Sequence, residues 1–478
     1  MMRGMSEETE AGMQVENAEL RRENERLAAE NVELREQVTQ LSTDLATAME
    51  RIAELERRNT QAPAFVKPKR QKRQGEKQPR KKRAAEHNRS RKRAEPTRIE
   101  RHALACCPEC AYELRGESID YTREVVELPP PQAVAVIEHQ VVKRWCPHCQ
   151  AWRSPKLDLS GQVIGQGRIG VQIAGLVVYL RTAMRLPVRQ IQAYLETLHN
   201  LHLSVGEIVA LSHAVGRELG AQMAALKAAV QSSAIVHADE TGWREDGQNG
   251  YVWAFVTPGA QPLRYFEYHH SRSHLIPQGI LGLLFRGHLV TDFYAAYNLL
   301  RGPHQRCWVH LLRDLHALKE ANAETPAVLT WAQAVRQLYV ETVAWLATPA
   351  TPSAAERQTK YAELLERVCA LGQQYALVSG HPCQTLAKRV LRHQDELFQC
   401  VLIPGLAPDN NLAERCLRPL VIMRKISGGS RSPQGSQTRL TLFSLLSTWA
   451  ARDLNPFLHC VTLLQNPTAN APPVAPLP

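Results

Sequence analysis

The chain has 478 residues and a formal net charge of +11, with 44% hydrophobic and 22% charged residues. A single hydrophobic core rarely grows past about 250–300 residues, so this length implies several domains. No segment approaches the roughly 20 consecutive apolar residues of a membrane span, and MMRGMSEETE lacks the apolar centre of a secretory signal. These features predict an intracellular protein with no membrane partner, in which the 11 cysteines read as thiols or metal ligands rather than disulfides.

The first element in chain order is a heptad helix. Leu20, Leu27, Leu34, Leu41 and Leu55, with Ala48 in step, mark one seam position, and Asn24, Asn31, Val38, Leu45 and Ile52 mark the other. Such seams bury only against a partner helix, so residues 15–58 are predicted to form a coiled coil, a lone surface helix being the alternative. Asn24 and Asn31 inside the seam fix register and strand number, which favours a parallel homodimer. Residues 59–100 follow as a basic arm. Between 67 and 93 stand fourteen Lys or Arg, including Lys81, Lys82 and Arg83, against two Glu, so this segment alone makes the protein basic. It has too few large apolar residues to fold alone and is expected to be disordered, meeting nucleic acid or serving as a solvated linker.

Cys107/Cys110 in CCPEC and Cys146/Cys149 in WCPHC form two Cys-x-x-Cys pairs. Each pair presents two thiolates from a tight knuckle, and two knuckles close one tetrahedral site, so residues 101–160 are predicted to bind one structural Zn²⁺. A redox Cys-x-x-Cys is the rival, though that motif normally occurs once. Cys106 or His148 could replace a neighbouring ligand. Residues 125–128 and 134–144 alternate as a ribbon strand pair would. Residues 164–230 then read as three helices, with Pro187 at a helix start and Ser204 as an N-cap. The arrangement is helix-turn-helix-like and could read a major groove; three helices packed with no ligand explain it equally.

Residues 231–320 carry the acids. SSAIVHADETGWRED holds a short apolar strand, 234–238, that stops at Asp239 with Glu240 beside it. A turn carrying Asp246-Gly247 and Asn249-Gly250 leads to strands at 251–257 and 263–269 and a helix at 275–285. HLVTD, 288–292, is a second apolar strand stopping at an acid, Asp292; a helix at 294–300, a strand at 305–310 and a helix at 311–320 follow. The pattern makes a mixed sheet in which the first and fourth strands can be neighbours, roughly 4.8 Å apart, so Asp239 and Asp292 could reach one cation. Glu240 would point to the opposite face.

Residues 321–404 read as a helical insertion, and 405–465 complete the core. In PDNNLAERCLRPL, Asp409 or Asn410 caps a helix with Glu414 one turn inside, and spacing does not choose between Asp409 and Glu414 as a third acid. Arg415, Arg418, Arg424, Lys425 and Arg431 are candidate DNA-backbone contacts or ordinary surface charge, and Gly428-Gly429-Ser430 permits close backbone approach to DNA. His237 and His310 are each a metal-adjacent donor or a core histidine. Trp243 is a candidate for stacking on frayed bases, whereas Trp253 and Trp308, on strands, are expected in the core. A Pro-rich disordered tail fills 466–478.

HADETGW, VTDFYAAYN, CWVHLLRDLHALK, DNNLAERCLRPLVIMRKISGGS and LLSTWAARDLNPF together resemble the DDE transposases of bacterial insertion sequences, specifically the insertion sequence sixty-six family. The resemblance extends from about residue 15 to 465 and includes the coil and the double Cys-x-x-Cys segment. It implies a multidomain α+β protein: N-terminal coiled coil, zinc-ribbon-like domain, helical segment, and an RNase-H-like mixed α/β core with a helical insertion. It also selects Asp239, Asp292 and Glu414 as the catalytic triad. Oxygen-only ligands suit two Mg²⁺ ions, with Asp239 shared and Asp292 and Glu414 each holding one. The implied activity is metal-dependent phosphodiester cleavage and strand transfer at the ends of an insertion sequence. The implied partners are double-stranded DNA and small accessory proteins of the same element, in the bacterial cytoplasm at the nucleoid. A nuclease without joining activity and a catalytically inactive zinc-containing DNA-binding protein are the competing classes. Ala111 departs from the glycine frequent in the family and bears on the turn of the first knuckle.

Overall fold

The structure, a computed structural model, describes residues 4–60, 95–300, 302–348 and 351–466, with backbone alone in 4–17 and 51–60. Lys81, Lys82, Arg83 and most of the basic arm lie outside the described residues, as does the tail from 467. Helix α1 (Gly4–Thr60) is unbroken. Its Leu20, Leu27, Leu34 and Leu41 are exposed. None of the described helices is long and apolar enough to cross a membrane.

Two short antiparallel strands, β1 (Arg144–Cys146) and β2 (Ala151–Arg153), enclose the second cysteine pair. The ribbon expected from 125–128 and 134–144 does not form: a strand begins only at Arg144, and Val125, Leu128, Val136 and Ile137 are exposed. Pro129, Pro130 and Pro131 interrupt that stretch, and three successive residues without an N–H cannot hold a ladder.

Four helices follow, α2 (Val171–Thr182), α3 (Val188–His199), α4 (Val205–Glu218) and α5 (Gly220–Gln231). Pro187 stands at the start of α3, and Ser204 caps α4 in a reciprocal box with Glu207, whose side chain accepts the Ser204 N–H. The apolar stripes of α2 to α4 close a small core around Val177, Ile191, Leu195 and Ile208.

The central sheet comprises β3 (Ile235–Glu245), β4 (Gln248–Val256), β5 (Arg264–His269), β6 (His288–Thr291) and β7 (His304–Arg306), with α6 (Leu275–Leu281) between β5 and β6. Its order is β5-β4-β3-β6-β7, antiparallel across β5, β4 and β3 and parallel from β3 to β6 to β7. Apolar residues on successive strand positions alternate between two faces. Trp243, Val252, Ala254 and Phe266 pack on α12 (Asn411–Ser427) and α13 (Pro433–Ala451), whereas Val236, Ala238, Trp253 and Phe255 pack with α5 and α6. Helix α14 (Pro456–Gln465), capped by Asn455, closes against α2.

Several boundaries differ from the pattern reading. Gly282, at φ 82°, ends α6 at Leu281 rather than 285, and the expected helix at 294–300 is a single 3₁₀ turn at Ala295–Tyr297. β7 stops at Arg306, and α7 (Trp308–Ala321) begins inside the expected strand because the Trp308 N–H is taken by the Pro408 carbonyl. Trp308 is therefore helical, though fully buried as expected. The stretch between α7 and α12 is helical, comprising α8 (Pro326–Leu346), α9 (Ala354–Ala376), α10 (Gln384–Arg392) and α11 (Gln399–Leu402). It shares a core with Val290 and Trp308, so it buttresses the β6–β7 edge.

Candidate active site

Strand register brings the first two acids together. Ile235, Val236 and His237 of β3 pair in parallel with His288, Leu289 and Val290 of β6; carried two residues past the last pair, that offset matches Asp239 with Asp292, whose charge acts on Asp239. Contrary to the sequence expectation, β3 does not stop at Asp239. It continues to Glu245, paired throughout with β4, and the turn is Asp246-Gly247 with φ of 47° and 77°. That is the mirror-image hairpin turn favoured by strand twist, so Asn249-Gly250 falls inside β4. What ends beside Asp239 is its neighbour: β6 stops at Thr291, and the sheet splits where the two aspartates stand.

The Asp409-Asn410 loop fixes α12 over this split. Asn410 is fully buried; its Nδ2 donates to the Ala238 carbonyl at 2.8 Å, its Oδ1 faces His237 Nδ1 at 3.2 Å, and its N–H donates to Cys307 Sγ at 3.1 Å. Asn410 thus ties α12 to β3 and to Cys307 at the start of α7 instead of capping its own helix with its side chain. At the other end, Arg424 donates to Thr241 Oγ1 at 3.0 Å and to the Gly242 carbonyl. A helix anchored at 410 over 237–238 and at 424 over 241–242 carries Glu414, about 6 Å along its axis, toward the level of Asp239. Asp409 instead accepts the Asn411 N–H at 3.0 Å and lines a separate cavity.

The electrostatics separate the four acids. Burial raises the Asp239 carboxyl well above its ordinary range, and the charges of Glu240, Asp292 and Glu414 raise it further, against one hydrogen bond from the Glu240 N–H. Glu240 points the other way, as strand alternation requires, and is held by Arg272 at 3.0 Å from Nε and by the Tyr297 hydroxyl. Arg272 is itself stacked 3.9 Å over the Tyr294 ring. Asp292 Oδ1 accepts the Tyr294 N–H at 2.9 Å. Glu414 receives Arg313 on both oxygens at 3.1 Å, with His310 Nε2 3.8 Å away. Glu414 thus acts on Asp239 through its charge while its carboxylate is turned to α7. Among the described residues, the donor atoms gathered within 4.8 Å are those of Cys307, His310 and Glu414, not of all three acids. Burial pushes the Cys307 thiol up to about 11, so that group offers a neutral sulfur.

Residues 166–438 match the family described as "Transposase IS66 family". The chain belongs to that family. Two curated relatives from Sinorhizobium fredii also match: an uncharacterized protein, y4jO, 30% identical over 35% of this chain and 49% of its own length, and another, y4qI, 28% identical over 36% of this chain and 34% of its own length. The match therefore spans about half the length of the first and a third of the second.

Of the cations that follow Glu414 in this family member, Arg415, Arg418, Lys425 and Arg431 are exposed. Arg424 is buried, its guanidinium turned to Thr241 and Gly242, and burial lowers it to about 10. The glycines also serve the fold. A Cβ at Gly429 would lie 2.0 Å from the Arg244 carbonyl, and Ser430 hydrogen-bonds the backbone at Arg244 and Asp246. Trp243 is fully buried with Nε1 on Ser430 Oγ at 3.2 Å, so it is a core residue rather than a base-stacking platform. His237 is 1% exposed, and burial above all lowers it to about 4. Sequence reasoning missed Arg313 and also Arg306, which is 1% exposed and donates to the Asp292 carbonyl at 2.9 Å, Asn298 at 2.7 Å and Glu396 at 2.6 Å. An arginine flanked by a strand of otherwise uncharged residues was the available signal.

The cysteine pairs form two similar knuckles. Cys107 N–H donates to the Tyr112 carbonyl and Ala111 N–H to Cys107, while Cys149 N–H reaches Cys146 Sγ at 3.4 Å. The residue after each pair is left-handed, Ala111 at φ 61° and Gln150 at φ 46°, so Ala111 adopts the turn that glycine would favour. Backbone N–H groups lower the thiols of Cys107 and Cys146, which suits thiolate ligation. Each knuckle fits a zinc half-site, but the four thiols are not gathered into one ligand set.

Proposed function

We propose that this chain is a DDE-type transposase, with an RNase-H-like core in which Asp239, Asp292 and Glu414 hold two Mg²⁺ ions. The observation that carries the reading is the level register of Asp239 with Asp292 beneath a helix whose Glu414 charge acts on Asp239. Asp239 is a buried carboxylate whose affinity for protons is raised by burial and by the neighbouring charges, a position that a divalent cation relieves, and hard oxygen donors suit Mg²⁺. Bound there, the ions would supply charge stabilisation to the attacking and leaving oxygens of a phosphodiester. The protein's part is to seat Asp239 beside Asp292, to hold Glu240 out of the site through Arg272, and to fix Asp292 through Arg306. Glu414 would join them by turning from Arg313 toward the two aspartates. Exposed Arg415, Arg418, Lys425 and Arg431, with Lys81, Lys82 and Arg83 of the basic arm, would grip the phosphates of double-stranded DNA. Cys107, Cys110, Cys146 and Cys149 would share one Zn²⁺, and α1 would pair in a homodimeric coil.

The test is strand cleavage and transfer on DNA carrying the element's ends. Asp239→Asn, Asp292→Asn and Glu414→Gln should each reduce cleavage by more than about 100-fold, since even an outer-shell partner of a metal ligand contributes about 10–100-fold. DNA binding should persist. Cleavage at the unsubstituted rate in any of the three discards the assignment, and cleavage without transfer of the 3′-hydroxyl makes the protein a nuclease.

A further inference from the structure

A cavity of about 420 Å³ opens beside the start of α12, between the β4–β5 loop and the end of α13. Leu412 and Arg415 line it from a helical face that Glu414 does not share, so it is distinct from the carboxylate site. Its size falls within the roughly 300–1,000 Å³ of small-ligand pockets and is too large for a lone phosphate. One wall is cationic. Arg264 is fixed by Nη1 on the carbonyls of Thr257 at 2.7 Å and Leu263 at 2.9 Å. Arg415 stands near enough for its charge to act on Arg264. Asp409 is the one acid of the lining, and its Oδ1 is engaged with the Asn411 N–H.

The rest of the lining suits something flat and apolar: Pro258, Pro262 and Leu412. His237 completes it. The Asn410 amide donates to Ala238, so its Oδ1 accepts, and His237 Nδ1 must carry the proton. The neutral ring then presents Nε2 as an acceptor; that atom is buried and has no donor. An exocyclic amine of a nucleobase supplies such a donor.

We propose that this cavity binds one nucleotide unit of a DNA strand, its phosphate on Arg264 and Arg415 and its base against Pro258, Pro262 and Leu412, within reach of His237. The inference rests on the reading that the substrate is DNA, but not on the carboxylate chemistry. The full-length protein, with no divalent metal added, is titrated with deoxyadenosine 5′-monophosphate and, separately, inorganic phosphate. Saturable nucleotide binding is expected, at least tenfold tighter than phosphate and weakened at least tenfold by Arg415→Gln, an exposed substitution whose folding a thermal melt verifies. A duplex carrying one unpaired 5′-phosphorylated adenylate should bind more tightly than its blunt counterpart, and free nucleotide should abolish that advantage. No saturable binding up to millimolar nucleotide, phosphate binding as tightly, an unaffected Arg415→Gln, or no advantage for the unpaired duplex each overturns the proposal. Loss of cleavage in Asp239→Asn would stand whichever way this titration falls.

Discussion

The acid site and the cysteine ribbon both place ligand-type residues in pairs far apart in the chain, but only the first is built on a scaffold. Asp239 and Asp292 are set by a parallel strand register, and Glu414 by a helix anchored to the same strand at both ends. The knuckles are set by their own turns, and apolar residues between them such as Val125, Leu128, Val136 and Ile137 are exposed. In one region the fold positions the candidate acids. In the other, a ligand would have to make the fold.

Metal removal should separate the two regions most sharply. Structural zinc in small domains contributes on the order of 10–16 kcal/mol of apparent binding energy at neutral pH, essentially all of it folding energy. The isolated full-length protein should therefore carry one zinc per chain by elemental analysis. Chelation, or Cys146→Ser, should expose residues 101–160 to protease while the sheet's melting transition stays in place. A chain that purifies without zinc, or whose sheet melts with it, would erase the contrast.

The scaffold of the acid site has a breakable point of its own. Arg306 is a fully buried charge whose partner Glu396 lies in the segment leading to α11. Glu396→Gln should destabilise the protein by about 1.5–3 kcal/mol in urea unfolding, because the charge-assisted hydrogen bond from Arg306 is lost while Arg306 keeps Asn298, Thr291 and the Asp292 carbonyl. Burial alone would raise the Glu396 carboxyl, but hydrogen bonds from His393 and Arg306 outweigh it and hold the group at about 2. Since the folded value lies below the unfolded one of about 4.3, this contribution is complete above that pH and fades as pH falls toward 2.

Why some of this could be read from the residues and some could not follows from range. Two apolar runs that each close on an acid, HADE and VTD, reveal adjacent strands, because that alternation is local. The end of β3 was misjudged because the polar sequence after Asp239 looks like a turn until β4 is known to lie beside it. Whether Asp409 or Glu414 joins the aspartates depends on how Asn410 docks, a contact with residues more than 170 positions away. The Arg272 and Tyr297 grip on Glu240 and the Arg313 grip on Glu414 are likewise long-range pairings that no spacing encodes. The missing ribbon is the opposite case, since Pro129–Pro130–Pro131 announced it and the alternation of the flanking valines outweighed that warning.

A site made by its fold stores repulsion, and this is measurable without activity. Because the Asp239 carboxyl is raised in the folded state, its contribution favours folding at low pH and is lost as pH rises through the folded value. Asp239→Asn should then stabilise the metal-free protein at neutral pH by about 0.5–2 kcal/mol, within the range of mutations that relieve functional strain, and the gain should grow with pH. Mn²⁺ or Mg²⁺ should raise the melting temperature of the unsubstituted protein and have little effect on the variant. A destabilised Asp239→Asn would mean that the carboxylate has a structural role.

The smallest expected effect concerns the contact that keeps Glu414 facing α7. Arg313 is 53% exposed on its side chain, so its pairing with Glu414 is a surface-type ion pair worth no more than about 1 kcal/mol. Arg313→Ala should free the carboxylate and tighten Mn²⁺ binding by up to about fivefold, the ratio that such an energy permits. The same substitution should weaken DNA binding in the presence of metal if the guanidinium, once displaced from Glu414, turns to a phosphate. Calorimetric titration of Mn²⁺ separates the possibilities, because unaltered affinity would mean that Glu414 belongs with Cys307 and His310 rather than with the two aspartates. In that case the level pair at the end of the sheet would need another third ligand.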